Sequence, residues 1–246
     1  MDKKKLVIVL LFCFSISVLP VIAQIGETVV AKYGSTPTID GLVGESEWSD
    51  ASSISFNGVQ VFVKQDSVDL YVGFKAPFLS QSAMFIYFDV NNDNSSILES
   101  DDICVGINYN STLSEFHPTS TGLWELASSS GWSASFQEAS TTCQAEFRIS
   151  YAKLGLTAGT EKTLGINFEY VSFDTLEDYF WSFDPNIQQS PSLDPSTWGS
   201  INSSGYNWIP EFPSLLVLSI LMIAVPLVSA IYRKSKKTSF HQANFH

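Results

Sequence analysis

The stretch that most constrains the fold is residues 83–109, where two strand-like segments enclose an acidic loop. Residues 83–88 are apolar without interruption, which is typical of a strand buried on both faces. In the second segment Ile103, Val105 and Ile107 alternate with smaller or polar residues, which predicts a half-buried strand. We therefore expect a central pair of strands with acidic side chains in the loop between them.

Short segments of the same kind recur along the chain, and no long amphipathic helical pattern accompanies them. Residues 59–63 and 70–74 alternate on either side of a turn, which predicts an antiparallel hairpin with one apolar face. Residues 123–126 and 132–136 flank a serine-rich turn and predict a second hairpin. Regular short strands without helices indicate an all-β fold, and we predict an antiparallel, jelly-roll-like β-sandwich. Further strands are expected at residues 28–33, 145–149, 164–170 and 179–183.

The N-terminus has the pattern of a secretory signal. Three lysines precede an apolar run that ends in a small residue, Ala23. This pattern predicts a signal peptide over residues 1–23. The alternative, an uncleaved membrane helix, is disfavoured because the run is short for a membrane span.

The C-terminus has the pattern of a membrane anchor. Residues 214–232 carry no charge and are long enough to cross a bilayer as one transmembrane helix. A basic cluster opens the tail at 233–246, and such clusters stay on the cytoplasmic side. The sequence thus predicts a single-pass protein of the cell membrane. Its main domain, residues 24–201, would lie outside the cell and join the membrane through a linker at 202–213.

The segment between the two ends is strongly acidic. Residues 24–213 carry 24 acidic and 6 basic side chains, a formal charge of −18. This charge argues against a nucleic-acid partner, whose phosphates require Lys and Arg. It is compatible with a well-solvated surface or with binding of divalent cations.

Two features of the sequence suit an extracellular location. Three N-glycosylation sequons are present, and their acceptors are Asn94, Asn110 and Asn202. After removal of a signal peptide, two cysteines remain, Cys104 and Cys143, in a compartment that permits a disulfide. Strand alternation puts Cys104 opposite its apolar neighbours and Cys143 on the same side as its own, so we expect the two thiols to point differently and disfavour a disulfide.

The acidic loop is a candidate metal site. Asp89, Asn91 and Asp93 have alternate spacing, and Asp101 with Asp102 would complete the shell. Ca²⁺ prefers several oxygen ligands of this kind. The alternative is a solvated loop, because Asn and Asp also favour turns without any ion.

Aromatic side chains are candidates for ligand binding. Sugar rings stack on aromatic faces, and neighbouring polar groups bond their hydroxyls. The alternative is that most of these rings belong to the core, the commoner fate of a tryptophan in a β-sandwich. The candidates are Trp124, Trp132, Tyr179 and Trp181.

Several short motifs, taken in order, resemble carbohydrate-binding module family 9 and its DOMON-like relatives. The opener, residues 37–41, is followed by Glu47-Trp48, and residues 195–201 resemble the end of that family. The resemblance spans residues 28–201 and also rests on the strands at 59–74, the Asp/Asn loop at 84–93 and the segment 146–155. It implies an antiparallel β-sandwich that often carries structural calcium and binds sugar ends between aromatic rings. Trp48 matches a structural tryptophan of the family.

A second resemblance concerns the segment before the anchor. Residues 209–213 resemble the PEF-type sorting tail of archaeal surface proteins, which implies a sorting enzyme as a partner. The nine residues after Lys237 exceed the usual abrupt end of such tails.

These patterns together predict a cell-surface carbohydrate-binding module that is not an enzyme. The alternative is a structural or adhesive surface protein without a sugar site, stabilised by calcium. A surface glycosidase is a further alternative, although no hydrolase motif is present and carboxylates across a cleft are not visible in a sequence. A haem protein of the DOMON type would use Met84 and His117 as ligands.

Overall fold

A computed structural model describes residues 27–158, 160, 162–182 and 189–203, and these residues form an almost entirely β structure. The signal peptide, the sorting-like motif, the anchor and the basic tail predicted above lie outside the described residues. Within the described part, no helix has the length and apolar character needed to cross a membrane.

Thirteen strands are assigned, together with one short helix and two 3-10 turns. Helix α1 covers Glu45–Trp48, and the 3-10 turns cover Pro191–Leu193 and Pro195–Thr197. The strands are β1 Thr28–Tyr33, β2 Ser52–Phe56, β3 Val59–Gln65, β4 Asp69–Pro77, β5 Ser82–Asp89, β6 Ile103–Asn108, β7 Leu113–Pro118, β8 Trp124–Ala127, β9 Trp132–Glu138, β10 Thr142–Ser150, β11 Leu164–Ser172, β12 Asp178–Phe180 and β13 Gly199–Ser203.

The strands form one open, curled sheet in the order β8-β7-β6-β5-β11-β13-β1-β3-β4-β10-β9, with β12 on β11 and β2 on β3. The ring of Phe74 on β4 meets that of Phe168 on β11 edge-on, with centroids 5.8 Å apart. Because β4 and β11 are not neighbours in the sheet, this contact requires the two halves to face each other. The predicted all-β class is therefore confirmed, and the two halves share one core, as in a sandwich.

Pairing is antiparallel with two exceptions, both at β1. Residues 28–31 of β1 run parallel to β13, and Lys32 and Tyr33 run parallel to β3. Parallel neighbours need a long connection, and the segment between β1 and β3 supplies one, with α1 and β2 inside it. Strand β1 thus passes from one half of the sheet to the other.

The central core confirms the predicted strand faces. Alternate side chains of β3 and β4, from Val59 to Phe74, are fully buried there, as expected for the first hairpin. Met84, Ile86 and Phe88 of β5 join them. The opposite face of β5 is also covered, because Tyr87 packs in a second cluster with Trp198.

The second predicted hairpin is wrong. Strand β8 pairs with β7 and strand β9 pairs with β10, so the two segments lie at opposite ends of the sheet. Strand β7 was not expected, because Glu115 and His117 interrupt its apolar pattern. The hairpin is instead formed by β7 and β8, which are joined by a turn in which the Gly122 amide donates to the Thr119 carbonyl.

The two cysteines are both buried and free, as expected from their faces. Cys143 lies in the central core, whereas Cys104 lies in the cluster on the outer face.

Candidate functional site

A polar pocket of about 340 Å³ lies at the end of the sheet formed by β4, β10 and β9. The register of these strands brings its parts together, since Ser133 pairs with Arg148 and Ser150 pairs with Asp69. Arg148 lies between Phe147 and Ile149, which face the core, so its own side chain takes the outer face. The pocket lining consists of Asp69, Gly131, Trp132, Ser133, Arg148 and Ser150.

Trp132 is the aromatic residue among those that line this pocket. It pairs with Ile149, so its ring lies on the core side of β9 and not on the face of Arg148. Its ring lies at 18° to that of Phe147, with centroids 6.3 Å apart, an offset stack at the edge of the core. Its indole N–H donates to Glu115 Oε2 at 2.8 Å. The half-buried ring of Trp132 is therefore held in one orientation at the edge of the core, where the residue borders the pocket.

Glu115 connects this pocket to the opposite end of the open sheet. Its carboxylate, 2% exposed, accepts from Lys153 Nζ at 2.6 Å and from the Ser130 amide at 3.2 Å, besides Trp132. His117 Nε2 lies 2.7 Å from the same carboxylate. Burial opposes ionisation, but the bonds from Lys153, His117 and Trp132 outweigh it and hold the pKa of Glu115 below its ordinary value.

Gly131 shapes the turn that enters β9. Its φ of +75° is a conformation that favours glycine, and a side chain there would meet Ser150 Oγ at 3.1 Å. The Gly131 carbonyl accepts from the Ser150 amide at 2.9 Å. This hydrogen bond thus joins the turn before β9 to Ser150, and both residues line the pocket.

Arg148 and Asp69 form the charged part of the pocket. Arg148 Nε donates to Asp69 Oδ2 at 2.7 Å. The Asp69 side chain is 4% exposed, whereas that of Arg148 is 53% exposed. The hydrogen bond and the charge of Asp69 raise the pKa of Arg148, so this group is a fixed cation.

The other predicted aromatic ligands lie elsewhere. Trp124 packs on the outer face against Tyr87, with centroids 5.8 Å apart, and its indole donates to the Ser192 carbonyl at 2.8 Å. Trp181 contacts Phe168 at 5.4 Å and, with Tyr179, packs against the central core. Of the four predicted aromatic ligands, only Trp132 is among the residues that line the described pockets.

Beside Trp124 lies a second groove, of about 380 Å³ and mainly apolar. Leu98 and Leu193 line it and belong to the same cluster as Trp124. No charged side chain lines this groove within the described residues.

The loop after β5 gathers three of the predicted metal ligands. Ligand atoms of Asp89, Asp101 and Asp102 lie within 4.8 Å of one another. Asn91 and Asp93, both exposed, bond mainly within the loop, where the Asn91 side chain donates to Asp93 at 3.2 Å. The structure thus brings the three aspartates together and places the other two residues at the loop surface.

Placing these carboxyl groups close together is electrostatically unfavourable. Burial, together with the charges of Asp89, Asp101 and Asp93, raises the pKa of Asp102 to about 7. Burial also raises the pKa of Asp89. In the same loop, Asn92 Oδ1 is buried without a hydrogen-bond partner. Several acidic oxygens and an unpaired amide oxygen are the donor set that suits a hard divalent cation, so these residues fit a calcium ion.

The sequon acceptors and the candidate haem ligands lie at separate places in the fold. The sequon acceptors Asn94 and Asn110 are exposed, whereas Asn202 is half-buried in β13. Met84 is fully buried in the central core, and His117 lies at the sheet edge against Glu115.

Sequence reasoning missed Asp69, Glu115, Arg148 and Lys153. Each looks like an ordinary solvated charge on a strand or turn. The one available signal was that Arg148 is the only arginine between residues 24 and 213.

No family model and no curated protein matches the chain. Solved structures do match. A carbohydrate binding module family 9 from Caldicellulosiruptor kristjanssonii, in complex with cellotriose, aligns with a TM-score of 0.54 and 18% identity over 73% of this chain and 94% of its own. The glucose complex of such a module from the same organism gives 0.54 and 18% over 73% and 96%.

A third solved structure, of a protein from Bacteroides uniformis that is assigned to carbohydrate binding, has a TM-score of 0.54 and 12% identity, over 73% of this chain and all of its own. At these identities the likeness concerns the fold alone. The described domain therefore has a fold like that of the family 9 carbohydrate-binding modules.

Proposed function

We propose that this protein is a non-catalytic carbohydrate-binding protein that holds a saccharide in the pocket beside Trp132. The observation that carries the proposal is that an aromatic residue, Trp132, and several polar residues line a single pocket of about 340 Å³. Pockets of this size accommodate small ligands. The fold shared with sugar-binding modules supports the same function.

The pocket offers both kinds of contact that a sugar needs. The C–H groups of a sugar ring pack on aromatic groups, and Trp132 is the aromatic residue at the pocket. Ser133, Ser150 and Arg148 supply hydrogen-bonding groups around it. Because Trp132 is held by Glu115 and Phe147, little side-chain entropy is lost when the sugar binds.

The carboxylates at the pocket support binding without catalysis. A glycosidase places two carboxyl groups on opposite sides of the scissile bond, one of them as an acid. Asp69 and Glu115 are both buried, and each is engaged by a cation of the protein. Neither is presented to a bound sugar as a free acid or nucleophile.

A glycan-array screen of the full-length protein tests this proposal. We expect binding of the wild type and of Trp124→Ala, and loss of most binding in Trp132→Ala, because only Trp132 lies at the pocket. Trp124→Ala is the matched control, since it removes a half-buried indole on the opposite side of the sheet. Absence of binding to every glycan, or loss in Trp124→Ala alone, would refute the proposed site.

We also propose a structural calcium ion held by Asp89, Asp101 and Asp102. The unpaired Asn92 Oδ1 and the mutual proximity of the three carboxylates support it. A bound ion stabilises only the folded state, by about 2.7 kcal/mol at a hundredfold excess over the dissociation constant. Melting curves with calcium and with chelator should differ for the wild type and coincide for Asp101→Asn, and identical wild-type curves would exclude the ion.

One observation favours the alternative of a structural or adhesive protein. None of the five tryptophans among the described residues is exposed, as expected if they serve the core. Under this alternative, calcium-dependent melting would be retained while every glycan fails to bind.

The location is proposed from the sequence alone. The apolar segment 214–232 and the basic cluster after it support an external domain anchored in the cell membrane. Protease added to intact cells should then remove residues 24–213. Removal of only the segment after Lys237 would show that the orientation is the opposite one, with the C-terminal tail outside the cell.

A further inference from the structure

The charges at the Trp132 pocket are distributed unlike those of the domain around it. Residues 24–213 carry a formal charge of −18, and Arg148 is their only arginine. At the pocket this cation is 53% exposed, whereas Asp69, the one carboxylate among the lining residues, is 4% exposed. The charge that a ligand meets in the pocket is therefore positive.

The guanidinium of Arg148 is anchored at one end and open at the other. Its Nε donates to Asp69, and no described residue accepts a hydrogen bond from its Nη groups. A guanidinium is planar and directs paired N–H donors at a carboxylate or a similar anion. Asp69 thus holds the group at Nε and leaves the paired Nη donors to a ligand.

The lining of the pocket has one exposed charged side chain, that of Arg148, and no exposed carboxylate. Ser133 and Ser150 contribute hydroxyl groups, which can donate or accept, while the Asp69 carboxylate already accepts from Arg148. A neutral sugar presents hydroxyls that seek acceptors as well as donors. A ligand that is itself rich in acceptors complements these groups better.

Building on the proposed function, we infer that the pocket selects an acidic saccharide, one whose ring bears a carboxylate or a sulfate, and that Arg148 binds this anion through its Nη groups. The overall negative charge of the domain does not prevent this. At physiological ionic strength, charges separated by more than about 8 Å are largely screened. The contact with Arg148 is short-range and charge-assisted.

The test compares ligands that differ only in the anion. Full-length protein, in a detergent without a sugar headgroup, is titrated calorimetrically with cellotriose and with the same trisaccharide oxidised to carboxylates at C6. Glucose and glucose 6-sulfate form a second pair, which separates a carboxylate from a sulfate as the anion. We expect at least one acidic ligand to bind about tenfold or more tightly than its neutral partner, as for a charge-assisted hydrogen bond.

Variants then assign the preference to Arg148. Arg148→Gln should lose the acidic preference, so that the two members of a pair bind with affinities equal within about threefold, and Arg148→Lys should retain part of the preference because its charge remains. Lys75→Gln, which removes a half-buried cation of β4 outside the pocket lining, should change nothing. Far-ultraviolet circular dichroism shows that each variant is folded.

The outcomes separate this inference from the proposed function. Equal affinity for the members of both pairs, or an acidic preference that survives in Arg148→Gln, would overturn the inference and leave sugar binding intact. Failure of all four ligands and of the glycan array would overturn both.

Discussion

Glu115 illustrates how a single buried charge stabilises both the fold and the pocket. It belongs to β7, yet it bonds Trp132 of β9 and Lys153 of the turn after β10, at the other end of the sheet. These bonds join the two ends of an open sheet that do not pair with each other. The carboxylate thus fixes Trp132, a residue of the pocket lining, from the opposite half of the sheet.

Replacing Glu115 by Gln should lower the free energy of unfolding by about 2 kcal/mol, because hydrogen bonds to a charged acceptor contribute about 1.5–3 kcal/mol. It should also weaken sugar binding, since Trp132 loses its fixed acceptor. Urea unfolding and glycan titration measure the two effects. Glu138→Gln, at an exposed end of β9, is the control and should alter neither. Unchanged stability in Glu115→Gln would show that the carboxylate does not help to hold β7 against β9 and the turn after β10.

The pKa of Asp102 predicts a dependence of stability on pH. Its folded-state pKa is raised to about 7, above the ordinary value of 3.8. The folded protein therefore binds the proton more tightly than the unfolded chain does, and in chelator the free energy of unfolding should fall as pH rises from about 4 to 7. Calcium should reverse this trend, because coordination requires the ionised carboxylate.

Unfolding in urea at pH 5 and pH 7, with calcium and with chelator, measures this effect. Glu169 contributes in the same direction, since burial raises its pKa to about 8. The comparison with Asp102→Asn isolates the loop, and this variant should show a smaller decrease in chelator and no reversal by calcium. A wild type whose stability in chelator increases between these pH values would contradict the assignment.

At the scale of single elements, strands with clean alternation were predictable and those with buried charges were not. The faces of β3, β4 and β5 follow directly from their apolar residues. Strand β7 was missed because Glu115 is polar yet buried, and its burial depends on Lys153 and Trp132, which are distant in sequence. A hydrophobic pattern carries no information about such long-range partners.

The β5–β6 pair contains a position that only glycine fits. A Cβ at Gly106 would lie 2.1 Å from Phe85 Cδ1 on the neighbouring strand. Gly106→Ala should therefore lower the free energy of unfolding by about 2–3 kcal/mol through overpacking. In urea unfolding, Gly106→Ala combined with Phe85→Leu should recover part of this loss. Simple additivity of the two substitutions would argue against the contact.

At the scale of the whole molecule, the sequence predicted the fold class and the acidic character but not the position of the pocket. The all-β class follows from short alternating segments, which any sheet must contain. The pocket depends on which strands become neighbours, and β9 lies beside β10 rather than β8. For that reason Trp124 and Trp132, eight residues apart in the chain, belong to different surfaces.

A crystal structure of the full-length protein, with the saccharide that binds most tightly in the glycan array, would show the sugar site itself. We predict sugar density at the Trp132 pocket, with a polar group of the ligand within hydrogen-bond distance of the Arg148 Nη atoms. Sugar bound instead in the apolar groove beside Trp124, lined by Leu98 and Leu193, with the Trp132 pocket holding no ligand, would contradict it.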